Sequence, residues 1–124
     1  MAVVALSTHD IVGIDIETDA ATSVDDMEGI LHPSERTALA AADDVAEFIR
    51  HVWSRKEAVL KAFGVGLSCS PRQCAVGPRS AAWQAAAVGR LGWAQVRSID
   101  NPLGAALAVA VIGVRAPKLA LFSS

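Results

Sequence analysis

The sequence predicts an α+β domain in which one long helix packs on a mostly antiparallel sheet. Three observations support this class: an alternating apolar segment near the start, two helical segments over about 33–63, and strand-like segments separated by Gly and Pro afterwards. The 124 residues suffice for one hydrophobic core, so 1–124 is expected to form a single domain.

Two strands are predicted at the start of the chain. Residues 2–7 form a short, valine-rich apolar run, and residues 12–17 (VGIDIE) alternate with the two-residue period of a half-buried strand. The alternation puts the branched aliphatic side chains on one face and Asp15 and Glu17 on the other, polar face. A tight turn near His9-Asp10 would join the two strands as a hairpin.

Two helices follow. The first is predicted over about 33–42, with Ser34 as its N-cap. Residues 44–47 (DVAE) have capping-box spacing for a second, longer helix. Gly64 fits the left-handed residue that ends a helix, and Gly66 loosens the following turn. The apolar residues that recur at helical spacing in the long helix are Ile49, Val52, Trp53, Leu60 and Phe63.

The second half predicts three strands, at about 73–76, 93–99 and 105–114. Gly and Pro residues separate them, as is typical of turns. Helices that lie between groups of strands, rather than alternating with single strands, favour an α+β arrangement.

The composition excludes some classes of function. A net charge of −2 argues against a nucleic-acid-binding protein, which normally carries a basic surface. The hydrophobic fraction of 52% and mean hydropathy of +0.38 are high. The longest apolar run, 103–114, is too short for a membrane span of about 20 residues, and MAVVALS lacks the features of a signal peptide. Buried subunit interface therefore explains the apolar excess better than an Ala/Val bias, and a homo-oligomer is expected.

The two cysteines, Cys69 and Cys74, predict no disulfide framework and form a poor zinc site, because no histidine lies near them in the sequence. Structural or incidental thiols are the expected role. With no secretion signal predicted, a cytoplasmic location follows as an expectation.

Charged residues on two elements offer a chemical site. Asp15 and Glu17 project from one face of a strand, and two close carboxylates repel unless a proton or cation intervenes. Glu57 and Lys61 are four apart on the long helix, and Trp53 would shield Glu57 from water. Solvated side chains and a surface ion pair are the alternatives. If the three carboxylates converge, hard cations such as Mg²⁺ are favoured, with a lysine beside them for phosphate.

Two motifs resemble those of the 4′-phosphopantetheinyl transferase superfamily: VGIDIE at 12–17 and, about forty residues later, WSRKEAVLKAFGVGL at 53–67. The ERTAL stretch around Glu35 extends the resemblance, which covers most of the chain. The Trp-Ser-x-Lys-Glu form is closer to the C-terminal half of the surfactin-synthetase-activating type than to the trimeric holo-acyl-carrier-protein synthase type. The resemblance implies the fold of this superfamily.

The resemblance also implies a reaction. The 4′-phosphopantetheine arm of coenzyme A moves to a serine of an acyl or peptidyl carrier protein, and adenosine 3′,5′-bisphosphate leaves. The implied Mg²⁺ ligands are Asp15, Glu17 and Glu57. Glu57 is also the candidate base, directly or through a metal-held water, and Lys61 would neutralise or protonate the leaving phosphate. The residues implied to contact coenzyme A are Lys56, Lys61, Gly64 and Gly66.

The resemblance does not distinguish a carrier protein of fatty-acid biosynthesis from one of polyketide or nonribosomal peptide biosynthesis. The carrier proteins that this superfamily modifies are typically acidic around the modified serine. Three arginines on or near the second motif could meet such a surface, although solubilisation is the commoner role of an exposed arginine. They are Arg50, Arg55 and Arg72.

The surfactin-type enzymes consist of two similar halves, and this chain resembles the second half only. Ser7-Thr8-His9 does not match, in register, the Ser-His segment that helps that type hold coenzyme A. Either a second copy completes the site in a dimer or trimer, or the chain is an incomplete, weakly active or inactive relative. The rival function is a non-catalytic module that binds carrier proteins or a partner subunit, and a third alternative is a structural oligomer without a ligand.

Overall fold

The computed structural model describes residues 3–5, 11–18, 29–65, 68–112 and 121–123. In chain order the elements are β1 (Val3–Ala5), β2 (Ile11–Glu17), α1 (Pro33–Ala40), α2 (Val45–Phe63), a 3₁₀ turn (Pro71–Gln73), β3 (Cys74–Ala75), β4 (Gln84–Val88), β5 (Gly92–Ser98), β6 (Ala106–Ile112) and β7 (Leu121–Ser123). The strands β2–β6 form one five-stranded antiparallel sheet in the order β2-β6-β5-β4-β3, and β1 and β7 form a separate pair. The predicted α+β class, with a long helix on an antiparallel sheet, is confirmed.

The predicted hairpin between the first two strands is wrong. β1 pairs with β7, in the register from Val3↔Ser123 to Ala5↔Leu121, whereas β2 pairs with β6. The turn predicted at His9-Asp10 lies outside the described residues. The strands that pair with β1 and β2 both lie in the last fifth of the sequence, so no local sequence pattern predicts these pairings.

β2 is an edge strand of the five-stranded sheet, and its two faces are reversed relative to the prediction. Gly13 and Asp15 are buried, whereas the branched aliphatic residues of the other face (Val12, Ile14 and Ile16) are only half-buried. The physical reason is close packing, because a Cβ on Gly13 would lie 2.0 Å from the carbonyl oxygen of Ala58 and 2.5 Å from the backbone nitrogen of Ala62. The face that carries the carboxylates therefore lies against α2.

Helix α1 begins at Pro33, as predicted, but it is capped by His32 and not by Ser34. The Nδ1 of His32 accepts from the backbone N–H of Ser34 at 3.2 Å, and the carboxylate of Glu35 accepts from the backbone N–H of His32 at 2.8 Å. This reciprocal pair is a capping box in which an imidazole replaces the usual hydroxyl. The prediction of Ser34 as the N-cap is therefore wrong, and the helix ends at Ala40, two residues before the predicted end.

Helix α2 follows the prediction closely. Asp44 caps its start by accepting from the backbone N–H of Glu47 at 3.1 Å. Gly64 ends it with φ of 69° in the left-handed region, which a residue without Cβ adopts without strain. No helix among the described residues is long and apolar enough to cross a membrane.

The inner face of the sheet and the apolar side of α2 enclose the core. Of the five apolar residues predicted to recur at helical spacing, Ile49, Val52 and Leu60 are buried there, and Trp53 and Phe63 are half-buried. The predicted strands of the second half are found with shifts of one or two residues, but β4 (Gln84–Val88) was not predicted. The buried apolar residues that α2 contributes to the core are Ile49, Val52, Ala58, Val59, Leu60 and Ala62.

Candidate active site

The candidate site lies where β2 crosses α2, and two contacts hold these elements together. The missing side chain of Gly13 lets the helix backbone approach the strand. One turn before Glu57, the hydroxyl oxygen of Ser54 lies 3.1 Å from the carbonyl oxygens of both Asp15 and Ala106. Ser54 therefore ties the helix to two adjacent strands at the position of the site. This role of Ser54 was not predicted, although the residue belongs to the second motif.

Asp15 is the best-defined acidic group of the site. Its side chain is 7% exposed, and its Oδ1 accepts from the ammonium of Lys61 at 2.7 Å. Its Oδ2 is buried and has no hydrogen-bond partner. A carboxylate oxygen that has lost water without gaining a donor is unfavourable unless a cation or proton comes to it.

Glu17 and Glu57 share the electrostatic field of Asp15. Burial raises the pKa of Glu17 to about 7, together with the hydrogen bond that its carboxyl group can donate to Asp15 only when protonated and the negative charges of Asp15 and Glu57. Burial also raises the pKa of Glu57, with the charge of Asp15 as the second cause. The positive charge of Lys61 opposes both shifts. The three predicted carboxylates therefore interact, as expected for acidic groups that repel one another.

The donor chemistry of this cluster fits Mg²⁺, since carboxylate oxygens are the ligands this ion prefers and one of them is a buried oxygen without a partner. The geometry is less complete. Among the described residues, no three His, Cys, Asp or Glu side chains converge closely enough to hold a metal ion. The ammonium of Lys61, rather than a third carboxylate, lies on Asp15. The predicted i,i+4 pair of Glu57 and Lys61 gives way to a pair between helix and strand.

Lys56 lies in the core and not at the site. Its side chain has no exposed surface, and its Nζ lies 2.6 Å from Oε1 of Glu35. It also donates to the carbonyl oxygens of Pro71 and Cys74. The second carboxylate oxygen of Glu35 accepts from the backbone N–H of Val76 at 2.9 Å. Because this ammonium cannot reach a ligand in the present conformation, the position of Lys56 gives no support to a contact with coenzyme A.

Arg55 is buried as well, which contradicts its predicted place on a surface that meets the carrier protein. Its guanidinium donates twice to the carbonyl oxygen of Val76, at 2.7 and 3.1 Å, and also to the hydroxyl of Ser98 and the amide oxygen of Gln84. Burial lowers the pKa of Arg55 to about 10, so it stays charged at neutral pH. Of the other two arginines named with it, Arg50 is half-buried and Arg72 is exposed.

The remaining predicted residues divide between described and undescribed positions. Gly64 is exposed at the end of α2, and Gly66 lies outside the described residues. Cys69 and Cys74 are free thiols, which agrees with the absence of a predicted disulfide. Burial raises the pKa of Cys74 to about 12, so this thiol is unreactive at neutral pH.

The comparisons with known proteins agree with the fold and with the motifs. Residues 11–108 match the model of the 4′-phosphopantetheinyl transferase superfamily, and the chain therefore belongs to that superfamily. Its structure is similar to the crystal structure of Thermotoga maritima holo-acyl-carrier-protein synthase (AcpS), with a TM-score of 0.67 and 26% sequence identity. The alignment covers 86% of this chain but 65% of that one. No curated protein matches the sequence. The preference for the surfactin-synthetase-activating type stays a prediction.

Proposed function

We propose that this protein transfers the 4′-phosphopantetheine group of coenzyme A to a serine of an acyl or peptidyl carrier protein, in a Mg²⁺-dependent reaction that releases adenosine 3′,5′-bisphosphate. The observation that carries the proposal is the environment of Asp15. Its buried Oδ2 has no partner, and Glu17, Glu57 and Lys61 surround it on the two segments that carry the superfamily's motifs.

Each residue has a role in this proposal. Asp15, Glu17 and Glu57 would hold the Mg²⁺, which when bound neutralises charge on the phosphates of coenzyme A. The serine hydroxyl of the carrier protein attacks the phosphorus that bears the pantetheine arm, and the bond from this phosphorus to the oxygen of the leaving nucleotide breaks. Glu57 accepts the hydroxyl proton. Lys61, half-exposed on the last turn of α2, neutralises or protonates the leaving phosphate.

The test is incubation of the pure protein with coenzyme A, MgCl₂ and a panel of apo carrier proteins, followed by intact-mass measurement of each carrier. We expect the mass of one phosphopantetheine arm to appear on at least one carrier and to disappear when EDTA replaces MgCl₂. No gain on any carrier at saturating coenzyme A would contradict the proposed activity.

A pair of matched variants separates the site from general stability. Asp15→Asn keeps the shape of the side chain but removes its charge, and we expect it to abolish Mg²⁺-dependent binding of coenzyme A in calorimetry. Asp43→Asn makes the same change at an exposed residue, and we expect it to bind and transfer as the unmodified protein does. Equal loss in both variants would argue against a specific role for Asp15.

The chain spans 65% of the length of the synthase it resembles. A second candidate function has its own support, because no three His, Cys, Asp or Glu side chains among the described residues are placed to hold a metal ion. A non-catalytic module would bind carrier proteins with an affinity indifferent to Mg²⁺ and to Asp15→Asn. The same calorimetric titration therefore distinguishes the two. Assembly into a dimer or trimer stays a prediction, which light scattering tests directly.

A further inference from the structure

The ammonium of Lys61 occupies the place where a cation at Asp15 would be expected. Its Nζ lies 2.7 Å from Oδ1 of Asp15 and 3.4 Å from the carbonyl oxygen of Ile14. Both groups are oxygen acceptors, and both are typical ligands of a hard divalent ion. Lys61 thus supplies positive charge to the acidic cluster from within the chain.

The hold of Lys61 on Asp15 is incomplete. Asp15 is only 7% exposed. Its Oδ1 accepts a hydrogen bond from Lys61, but its Oδ2 has no hydrogen-bond partner. Glu17 and Glu57 add two further carboxyl groups beside Asp15, so the single ammonium of Lys61 does not balance the formal charge of the cluster. A divalent ion would bring twice the charge and could bind both oxygens of Asp15.

Lys61 is also able to leave. Half of its side chain is exposed, in contrast to Lys56, which has no exposed surface and three acceptors around it. An ion pair with one half-exposed partner contributes little to stability, so a bound cation can displace it. The last turn of α2 would then present the released ammonium to solvent beside the metal.

We propose that Lys61 competes with the divalent cation for Asp15: its ammonium holds Oδ1 in the metal-free protein and is released when the cation binds. This inference rests on the proposed function, because it assumes a cation at Asp15. It deepens that function by coupling metal binding to the availability of Lys61. A phosphate group of coenzyme A would meet a free ammonium only after the metal site is filled, which favours binding of metal before or together with coenzyme A.

The first experiment measures affinity for Mn²⁺, with the free ion counted by electron paramagnetic resonance and without coenzyme A. We expect Lys61→Met to bind Mn²⁺ about two- to fivefold more tightly than the unmodified protein, the ratio that loss of a half-exposed ion pair predicts. Arg90→Met removes an equal charge in the exposed turn between β4 and β5, strands that do not pair with β2, and should change the affinity much less. Equal or weaker binding by Lys61→Met would overturn the inference.

The second experiment uses the unmodified sequence. Lysines are acetylated with an excess of reagent, with and without MnCl₂ at equal ionic strength, and the modified residues are quantified by mass spectrometry. We expect acetylation of Lys61 to increase severalfold with Mn²⁺, and not to change in Asp15→Asn. Lys56 should stay unmodified in both conditions because it is buried. Unchanged or reduced acetylation of Lys61 at saturating Mn²⁺ would overturn the inference.

The two proposals fail in different ways. If the unmodified protein modifies a carrier protein but Lys61→Met does not bind Mn²⁺ more tightly, the proposed competition is refuted and the proposed enzymatic activity stands. If the Mn²⁺ affinities and the acetylation of Lys61 change as expected but no carrier protein is modified, the proposed competition stands and the proposed enzymatic activity is refuted. Absence of Mn²⁺ binding in both the unmodified protein and Lys61→Met overturns the competition and the metal site together.

Discussion

Gly13→Ala tests the close approach of α2 to β2 on which the candidate site depends. The added Cβ would lie 2.0 Å from the carbonyl oxygen of Ala58 and 2.5 Å from the backbone nitrogen of Ala62. Both atoms belong to the helix backbone, so no side-chain rotation relieves the contact. The helix must retreat by more than about 1 Å before the nearest contact reaches the ordinary van der Waals distance of about 3.4 Å.

The structure allows the size of the effect to be worked out. Overpacking a core normally costs about 1–3 kcal/mol, and a clash between two backbones belongs at or above the upper end. For a domain of this size, about 3 kcal/mol lowers the melting temperature by roughly 10 °C. A displacement of about 1 Å at a reacting centre reduces turnover on the order of 100-fold. Gly13→Ala should therefore be less stable than the unmodified protein. It should also transfer phosphopantetheine more slowly, even at temperatures at which the variant is folded.

Urea unfolding and the transfer assay at 15 °C measure these two losses. Gly29→Ala is the matched control, because a Cβ at Gly29 would meet no atom within 4 Å. We expect the control to stay within about 1 kcal/mol of the unmodified protein and to keep its activity. A Gly13→Ala protein with the same urea midpoint and the same transfer rate as Gly29→Ala would refute the packing argument.

Three further predictions concern groups away from the reacting atoms. Lys56→Met leaves the buried Glu35 without its cation and should lower the free energy of unfolding by about 3–5 kcal/mol. Adding Glu35→Gln to this variant removes the unpaired charge and should restore most of the loss. Equal urea midpoints for Lys56→Met and the unmodified protein would contradict this prediction. Ser54→Ala loses the bonds to the carbonyl oxygens of Asp15 and Ala106 and should lose about 1–2 kcal/mol, whereas Ser54→Thr should retain most of it. Burial lowers the pKa of His51, so the unfolded state binds its proton more readily, and the contribution of this residue to stability should fall as pH drops below 6.5. The free energy of unfolding of the unmodified protein should therefore decrease relative to that of His51→Gln over this range, and parallel pH profiles of the two proteins would contradict the sign.

The long helix was predictable from the sequence because its signals are local. Asp44, the apolar stripe and Gly64 lie within the helix or next to it, and each specifies the same element. β4 was not predicted because QAAAV has no alternation and alanine is disfavoured in strands. The pairing of β1 with β7 joins segments separated by more than 100 residues, which no short-range pattern encodes.

The candidate site was predictable in membership but not in orientation. Periodicity identified Asp15 and Glu17 as neighbours on one face, but the usual preference of helices for aliphatic faces indicated the wrong side of the strand. The decisive feature is the absence of a side chain at Gly13, which makes the acidic face the close-packed one. The burial of Lys56 had no local signal either, because its partner Glu35 lies 21 positions earlier, on another helix.

The position of β2 at the border of its sheet has a consequence for handling the protein. Among the described residues β2 pairs with a strand on one side only, and an edge strand of seven residues rich in isoleucine and valine is a template for association with other chains. Inward-pointing charges are one way in which proteins suppress such association. Asp15 is an inward-pointing charge of this kind. Neutral substitutions of the acidic residues in β2 therefore remove a guard against fibril-like self-association, and their samples call for a check of particle size before any loss of turnover is assigned to chemistry.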